Sequence, residues 1–237
     1  MQKTTLRGFA PGDAKEFGPR QAHTLRTALG DIVMLLDRGY AVCRAADFVG
    51  DRYQLSSRQR TALVRAACSK AALKGRAARE INGGLEGGEL IIDGFNVIIT
   101  LETALSGSTV LRCMDGTLRD LCGLRGTYRL IDKTGPAVEL TLSRMEVLGI
   151  SSAVWVLDKP VSNSGRLAGL IREASQYRSF STRVVLSERA DTLVAQGKYA
   201  ATSDSAILDT PVNWVNLASR AAGLIEGFAP FDLSSPC

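Results

Sequence analysis

Three aspartates each close a short apolar run, at positions where side chains from different parts of the chain could meet. Asp93 ends the run 89–93, Asp158 ends 153–158 and Asp204 ends 199–204. Asp191 opens the predicted helix before the last of these runs. Oxygen ligands without histidine or cysteine suit Mg²⁺ or Mn²⁺, which can polarise a phosphate and lower the pKa of a bound water. The chemistry indicated is metal-dependent phosphodiester hydrolysis.

The elements that must position these acids alternate between apolar runs and helical periodicity after Gly88. This alternation predicts an α/β fold with a Rossmann-like parallel sheet covered by helices on both faces. The five strand-like runs are 89–93, 153–158, 182–187, 199–204 and 212–217. If the strand order is 3-2-1-4-5, the runs that end in Asp158, Asp93 and Asp204 are neighbours at one rim.

Clustering of this kind has an energetic consequence. Two bare carboxylates about 5 Å apart repel by roughly 3 kcal/mol at an effective dielectric constant near 20. Three or four together are unfavourable unless they are protonated or bind cations. A single aspartate at such a position is more readily explained as the cap of the following helix. Three at adjacent strand ends favour a metal site.

The net charge divides the chain into two parts. Residues 1–88 hold 15 lysines and arginines against 8 aspartates and glutamates, whereas the remainder is slightly acidic. Apolar periodicity over 19–39, a short segment near 41–49 and a serine-capped stretch from Ser56 to about Leu73 predict a helical basic domain over 1–82. The α/β domain is predicted over 89–237. Three arginines of the capped helix would contact nucleic-acid phosphates: Arg58, Arg60 and Arg65.

The sequence Leu90-Ile91-Ile92-Asp93-Gly94-Phe95-Asn96-Val97-Ile98 resembles the opening strand of PIN-like nucleases, especially the NYN branch. The runs ending in Asp158 and Asp204, with Asp191 between them, are similar to the later acidic motifs of that family. The resemblance covers about residues 89–217. It implies Mg²⁺- or Mn²⁺-dependent RNA cleavage, with the cation held by the four aspartates. Asn96 would position a carboxylate, a water or a phosphate.

Further residues are candidates for contacts near this site. Segment 107–133 interrupts the alternation and is predicted to be an insertion. The additional basic candidates for RNA binding are Lys159, Arg166, Arg112 and Arg119. Ser203 and Ser205 could bind substrate or metal-bound water, although capping of the next helix explains them somewhat better.

Two other functions remain open at this stage. The first is a non-catalytic RNA-binding or adaptor protein on the same fold. The second is a phosphatase, because Met114-Asp115-Gly116-Thr117 resembles the loop of haloacid-dehalogenase-type phosphatases. The nucleophile position of that loop is occupied by Cys113, which argues against it.

Composition excludes several classes of protein. The chain of 237 residues has a single histidine, His23, so a histidine-rich zinc site within one chain is excluded. The most apolar stretch, 90–101, is too short to span a bilayer, which needs about 20 residues. Five irregularly spaced cysteines and no apolar N-terminal segment lead us to expect a cytoplasmic protein without membrane association. A homodimer is retained as a candidate assembly.

Overall fold

The computed structural model describes residues 5–123 and 126–236. Its helices are α1 (Asp13–Glu16), α2 (Pro19–Leu36), α3 (Val42–Arg52), α4 (Ser57–Ala66), α5 (Lys70–Arg79), α6 (Gly94–Leu105), α7 (Thr134–Val147), α8 (Ser164–Ala174), α9 (Ala190–Ala195), α10 (Ser205–Leu208) and α11 (Leu217–Ala222). Its strands are β1 (Glu89–Asp93), β2 (Val110–Arg112), β3 (Leu118–Asp120), β4 (Ser152–Asp158), β5 (Ser181–Ser187), β6 (Tyr199–Ala201), β7 (Asn213–Val215) and β8 (Phe231–Asp232). Within the described ranges, no helix is both long and apolar enough to cross a membrane.

Five of the strands form one parallel sheet in the order β5-β4-β1-β6-β7. Numbered along the chain, this is the predicted order 3-2-1-4-5, which is therefore confirmed. Strand β1 lies at the centre, with Asp93 opposite Val156 of β4 and Ile92 opposite Ala201 of β6. The carboxyl ends of β4, β1 and β6 consequently lie side by side.

The sheet is buried on both faces because alternate residues of its central strands enter different cores. In β4, Trp155 and Leu157 pack into the larger core, which also contains residues of α6, α7, α8 and α11. Val154 and Val156 point the other way and pack with residues of α9 and α10. Strands buried on both faces must read as nearly continuous apolar runs, which is the pattern that made them recognisable.

The N-terminal helices form a separate layer, and one predicted helix is divided in two. Helix α4 begins with a reciprocal capping box between Ser56 and Gln59. It ends at Ala66 rather than continuing to Leu73, so that prediction is wrong. The chain becomes extended at Ala67, and the Ser69 hydroxyl accepts a hydrogen bond from the Ala72 amide to start α5. A second serine cap was the missed signal.

The predicted insertion completes the core of the helical layer. Strands β2 and β3 form an antiparallel pair, and β8 adds to β2 in parallel. Leu111 of β2 is buried in one cluster with Leu29 and Leu63 of the helices. Leu121 and Leu233, which directly follow β3 and β8, belong to the same cluster. The core of the helical domain therefore extends beyond residues 1–82, because two distant segments contribute to it.

The segment 80–88, between α5 and β1, is held by hydrogen bonds and by the burial of one leucine. The Ile81 amide donates to the Trp214 carbonyl at 2.8 Å, and Leu85 is buried against the larger core. Arg220 of α11 donates from its guanidinium to the Ile81 carbonyl at 2.5 Å. These contacts attach the start of the α/β domain to the edge strand β7.

Candidate functional site

The structure brings the four predicted aspartates to one cleft at the carboxyl edge of the sheet. Asp93 and Asp158 end β1 and β4, Asp204 caps α10 just after β6, and Asp191 lies in the first turn of α9. The cleft has a volume of about 490 Å³. We refer to this space, lined by the four aspartates, as the acidic cleft.

The opposite wall of the acidic cleft comes from the helical layer and the insertion. Val42 and Val64 belong to α3 and α4, Arg65 follows in α4, and Arg119 and Asp120 lie on β3. Phe95 and Ile99 of α6 add further apolar surface, and Asn96 and Ser205 line the same space. The apolar residues were not foreseen, because their own segments look like ordinary helix cores.

Burial and mutual repulsion shape the electrostatics of the cleft. Burial is the largest cause that raises the pKa of Asp93 to about 7; the Thr202 hydroxyl acts against it, and the other three carboxylates add to it. The pKa of the half-buried Asp158 is raised by burial and then by Asp191. That of Asp191 is raised by burial and then by Asp204. Each shift has the sign expected for carboxylates that share a cavity.

A short segment after β6 is tied to the first acidic motif by side-chain hydrogen bonds. The Thr202 hydroxyl donates to Asp93 Oδ2 at 2.8 Å. The amide and the hydroxyl of Ser203 both donate to Asn96 Oδ1 at 2.9 Å. The Asp204 amide donates to Thr202 Oγ1 at 3.0 Å. Asn96 and Thr202 therefore fix the segment 202–204 over the end of β1.

The carboxylates share the cleft without converging on one point. Among the described residues, no group of three or more histidine, cysteine, aspartate or glutamate side chains is arranged so that it could hold a metal ion. The expectation that the four aspartates together hold one cation is thus not met by the side chains in this arrangement.

The donor set nevertheless fits a hard divalent cation. Among the described residues, neither lysine nor arginine forms an ion pair with any of the four aspartates. The polar groups around the cleft floor are carboxylate, amide and hydroxyl oxygens, which suit Mg²⁺ or Mn²⁺ rather than zinc. An ion here would need water or substrate oxygens to complete its coordination.

Two arginines predicted to contact phosphate form ion pairs and hydrogen bonds with other groups of the protein. Arg58 forms an ion pair with Asp13 at 2.5 Å and also donates to the carbonyl of Leu121. Arg60 pairs with Asp51 at 2.8 Å and donates to the Leu55 carbonyl at 3.0 Å. We therefore correct their assignment: both stabilise the helical layer, and neither lines the acidic cleft.

The remaining basic candidates differ in position. Arg65 and Arg119 line the acidic cleft, Arg65 being half-buried and Arg119 buried. Lys159 pairs with Glu188 on the exposed surface next to Asp158. Arg166 is exposed in the first turn of α8, and Arg112 lies on β2 in the small sheet, outside the cleft. Arg112 is thereby removed from the immediate site.

Asp115, the residue of the phosphatase alternative, has no access to a substrate. Its side chain is 2% exposed and forms ion pairs with Arg76 at 2.6 Å and Arg119 at 2.8 Å. Its other oxygen accepts from the amide and the hydroxyl of Thr117. A carboxylate held by two arginines in the interior is a structural group, so the phosphatase alternative, which already lacks an aspartate at position 113, also loses its second loop aspartate.

Two family models match parts of the chain. Residues 82–220 match a family model described as "Domain of unknown function (DUF5616)". The chain belongs to the DUF5616 family. Residues 24–79 match a second model, described as "Protein of unknown function (DUF434)". The DUF5616 match contains all four aspartates, whereas the DUF434 match contains Val42, Val64 and Arg65 of the cleft lining.

The chain is also similar to a protein of an archaeon. An uncharacterized protein of Methanocaldococcus jannaschii, MJ0935, is 31% identical over 187 residues, which span 78% of this chain and 89% of that protein. No solved structure matches. Neither family description names a nuclease, so the PIN-like resemblance of the DUF5616 domain stays a prediction.

Gly94, which follows Asp93 in the DUF5616 domain, is required by the packing of α6 against β4. A Cβ atom added at Gly94 would lie 2.4 Å from Leu157 Cδ2 and 3.1 Å from the Val156 carbonyl oxygen. We expect Gly94→Ala to lower the free energy of unfolding by about 1–3 kcal/mol through overpacking. Urea unfolding followed by circular dichroism measures this.

The matched control is Gly135→Ala. Gly135 lies in α7, and a Cβ there would meet nothing within 4 Å. We expect that replacement to be neutral or to stabilise the protein by up to about 1 kcal/mol, because alanine favours the helix. Equal effects of the two substitutions would contradict the packing requirement at Gly94.

Proposed function

We propose that the protein is a metal-dependent ribonuclease that hydrolyses RNA phosphodiester bonds in the acidic cleft. The observation that carries the proposal is that four carboxylates line one cleft with no basic partner among the described residues. Accumulated negative charge is unfavourable without a cation. A divalent ion and the phosphate bound to it would relieve that repulsion.

Asp93, Asp158, Asp191 and Asp204 would hold the ion. When bound, Mg²⁺ or Mn²⁺ supplies Lewis-acid activation of the phosphate and of the attacking water. The protein's own groups orient the ligands: the Thr202 hydroxyl holds Asp93, and Asn96 holds the segment that precedes Asp204. The apolar residues Val42 and Val64 add half-buried apolar surface to the lining of the cleft.

RNA is the polymer that the surroundings favour. The basic part of the chain, 1–88, forms most of the opposite wall, and Arg65 reaches the cleft from it. The Arg65 guanidinium also lies 3.7 Å from the Asp120 carboxylate, so the attraction of a polyanion rests on the excess of basic residues over 1–88 and not on one free charge. The motif at 90–98 and the confirmed strand order support assignment of the domain to the PIN-like superfamily, in the NYN branch, whose members cleave RNA.

Purified protein incubated with single-stranded and structured RNA should cleave it in Mn²⁺ or Mg²⁺ and stop in EDTA. We expect Asp93→Asn and Asp204→Asn each to reduce the rate about a hundredfold or more, because each removes a ligand charge. Asp51→Asn is the matched control, since its side chain is 78% exposed and is not part of the cleft lining. Cleavage that persists in both cleft variants would refute the proposal.

A second function is favoured by one observation. The described carboxylates do not form a group that could hold an ion by themselves, which is the arrangement expected of a non-catalytic RNA-binding or adaptor protein. That function predicts salt-sensitive RNA binding that is independent of Mn²⁺, with no turnover. Titration calorimetry with Mn²⁺ alone separates the two, because only the ribonuclease requires an ion to bind at the four aspartates.

A further inference from the structure

Arg119 of β3 ties together three parts of the chain at the edge of the acidic cleft. Its Nε donates to the carbonyl of Ser203 at 2.8 Å, and its Nη2 donates to Asp115 Oδ2 at 2.8 Å. Its Nη1 donates to the carbonyl of Arg65 in α4. A single guanidinium therefore bridges the sheet domain, the insertion and the helical layer.

The bond to Ser203 reaches the site directly. The carbonyl of Ser203 and the amide of Asp204 belong to the same planar peptide group, so fixing the carbonyl also fixes the start of Asp204. On the sheet side the segment is held by Asn96 and by the Thr202–Asp93 hydrogen bond. Arg119 fixes the same segment from outside the five-stranded sheet, through its hydrogen bond to the Ser203 carbonyl.

Arg119 is itself anchored by a buried ionic network. Asp115 Oδ2 accepts hydrogen bonds from both Arg119 and Arg76. Arg76, 3% exposed, also makes a bidentate pair with Asp209 at 2.8 and 2.9 Å, just beyond α10. Paired and hydrogen-bonded charges in the interior have few alternative arrangements, so the network gives Arg119 a defined place.

We propose that Arg119 is a positioning residue that holds the Ser203 carbonyl, and through it the Asp204 carboxylate, in the acidic cleft. The insertion and the helical layer thereby set the geometry of a site whose four acids all belong to the sheet domain. The kinetic consequence rests on the proposed function; the structural consequence does not.

Arg119→Lys tests this with the least change of charge. The lysine ammonium can still pair with Asp115, but its compact head cannot reproduce three hydrogen bonds in the fork geometry of a guanidinium. We expect the amides of Ser203 and Asp204 to exchange with deuterium at least tenfold faster, while exchange in β4 and β5 stays unchanged. In the RNA assay we expect kcat to fall about tenfold, with KM within twofold of the wild type.

Arg220→Lys is the matched control, because Arg220 also donates to backbone carbonyls but at the distant linker. It should leave exchange at 202–204 and kcat unchanged. Unchanged exchange at 202–204 in Arg119→Lys, or equal acceleration across the whole chain, would overturn the positioning role. If the wild type cleaves no RNA, the proposed function fails, and the exchange data still decide the role of Arg119.

A measurement on the wild type covers the case in which Arg119→Lys does not fold. In native-state exchange with increasing urea, the positioning role requires the Ser203 and Asp204 amides to open in one step with those of Cys113 and Thr117 in the hairpin. The hairpin amides are bonded to the Thr117 carbonyl and to Asp115 Oδ1, so they report the network. Separate opening of the two segments would overturn the inference.

Discussion

Asp93→Asn is expected to make the metal-free protein more stable at pH 8 while it removes cleavage of RNA. The folded-state pKa of Asp93 is raised from 3.8 to about 7. Between these values the folded protein retains a proton that the unfolded chain has released, so stability falls as the pH rises through this window. Three pH units correspond to at most about 4 kcal/mol. Asparagine does not ionise and avoids this loss.

Urea unfolding in EDTA at pH 5 and pH 8 measures the effect. The variant should exceed the wild type by a few kcal/mol at pH 8, and the difference should shrink towards zero as the pH approaches 4. Asp51→Asn, whose carboxylate is exposed and outside the acidic cleft, is the matched control. A wild type and a variant with parallel pH profiles would show that Asp93 ionises normally in the folded protein.

Addition of Mn²⁺ completes the same experiment. An ion that binds the folded protein and not the unfolded chain stabilises it by mass action. Mn²⁺ should therefore raise the stability of the wild type at pH 8 more than that of Asp93→Asn. The cleft carboxylates would then explain why the metal-free protein is less stable at pH 8 and why Mn²⁺ restores stability. Such a cost is expected where function requires unfavourable charge.

The sheet and the cleft acids were accessible from the sequence because local pattern and position coincide there. Strands buried on both faces must be continuously apolar, so 89–93 and 153–158 stand out, and a polar residue at the end of each marks the rim. The strand order followed from the usual behaviour of parallel α/β sheets. The position of the four aspartates at one edge of the sheet could thus be predicted from the sequence alone.

Partners distant in the sequence could not be predicted. Arg58 pairs with Asp13, 45 residues away. Nothing in the sequence of an amphipathic helix distinguishes such an arginine from one that faces solvent. Strand β8 pairs with β2 across more than 100 residues and is only two residues long. The composition of the cleft was also not predictable, because Val42, Val64 and Arg65 of its lining come from the helical layer.

Asp115→Asn is expected to destabilise the protein strongly. The side chains of Asp115, Arg76 and Arg119 are 2%, 3% and 7% exposed. Neutralising the carboxylate leaves two buried guanidinium groups facing each other, and removal of one partner from a buried ionic group costs about 3–5 kcal/mol. Asp51→Asn breaks an exposed pair with Arg60 and should cost less than about 1 kcal/mol.

The pH dependence of this loss identifies its cause. Burial acts to raise the pKa of Asp115, but Arg119, Thr117 and Arg76 outweigh it, so the folded-state pKa is lowered. A carboxylate with a lowered pKa stabilises the fold above its ordinary value and loses that contribution as the pH falls through its folded-state pKa. The destabilisation by Asp115→Asn, measured by urea unfolding, should thus be largest at pH 7 and smaller below pH 4. A loss of equal size at both pH values would instead indicate altered packing around residue 115.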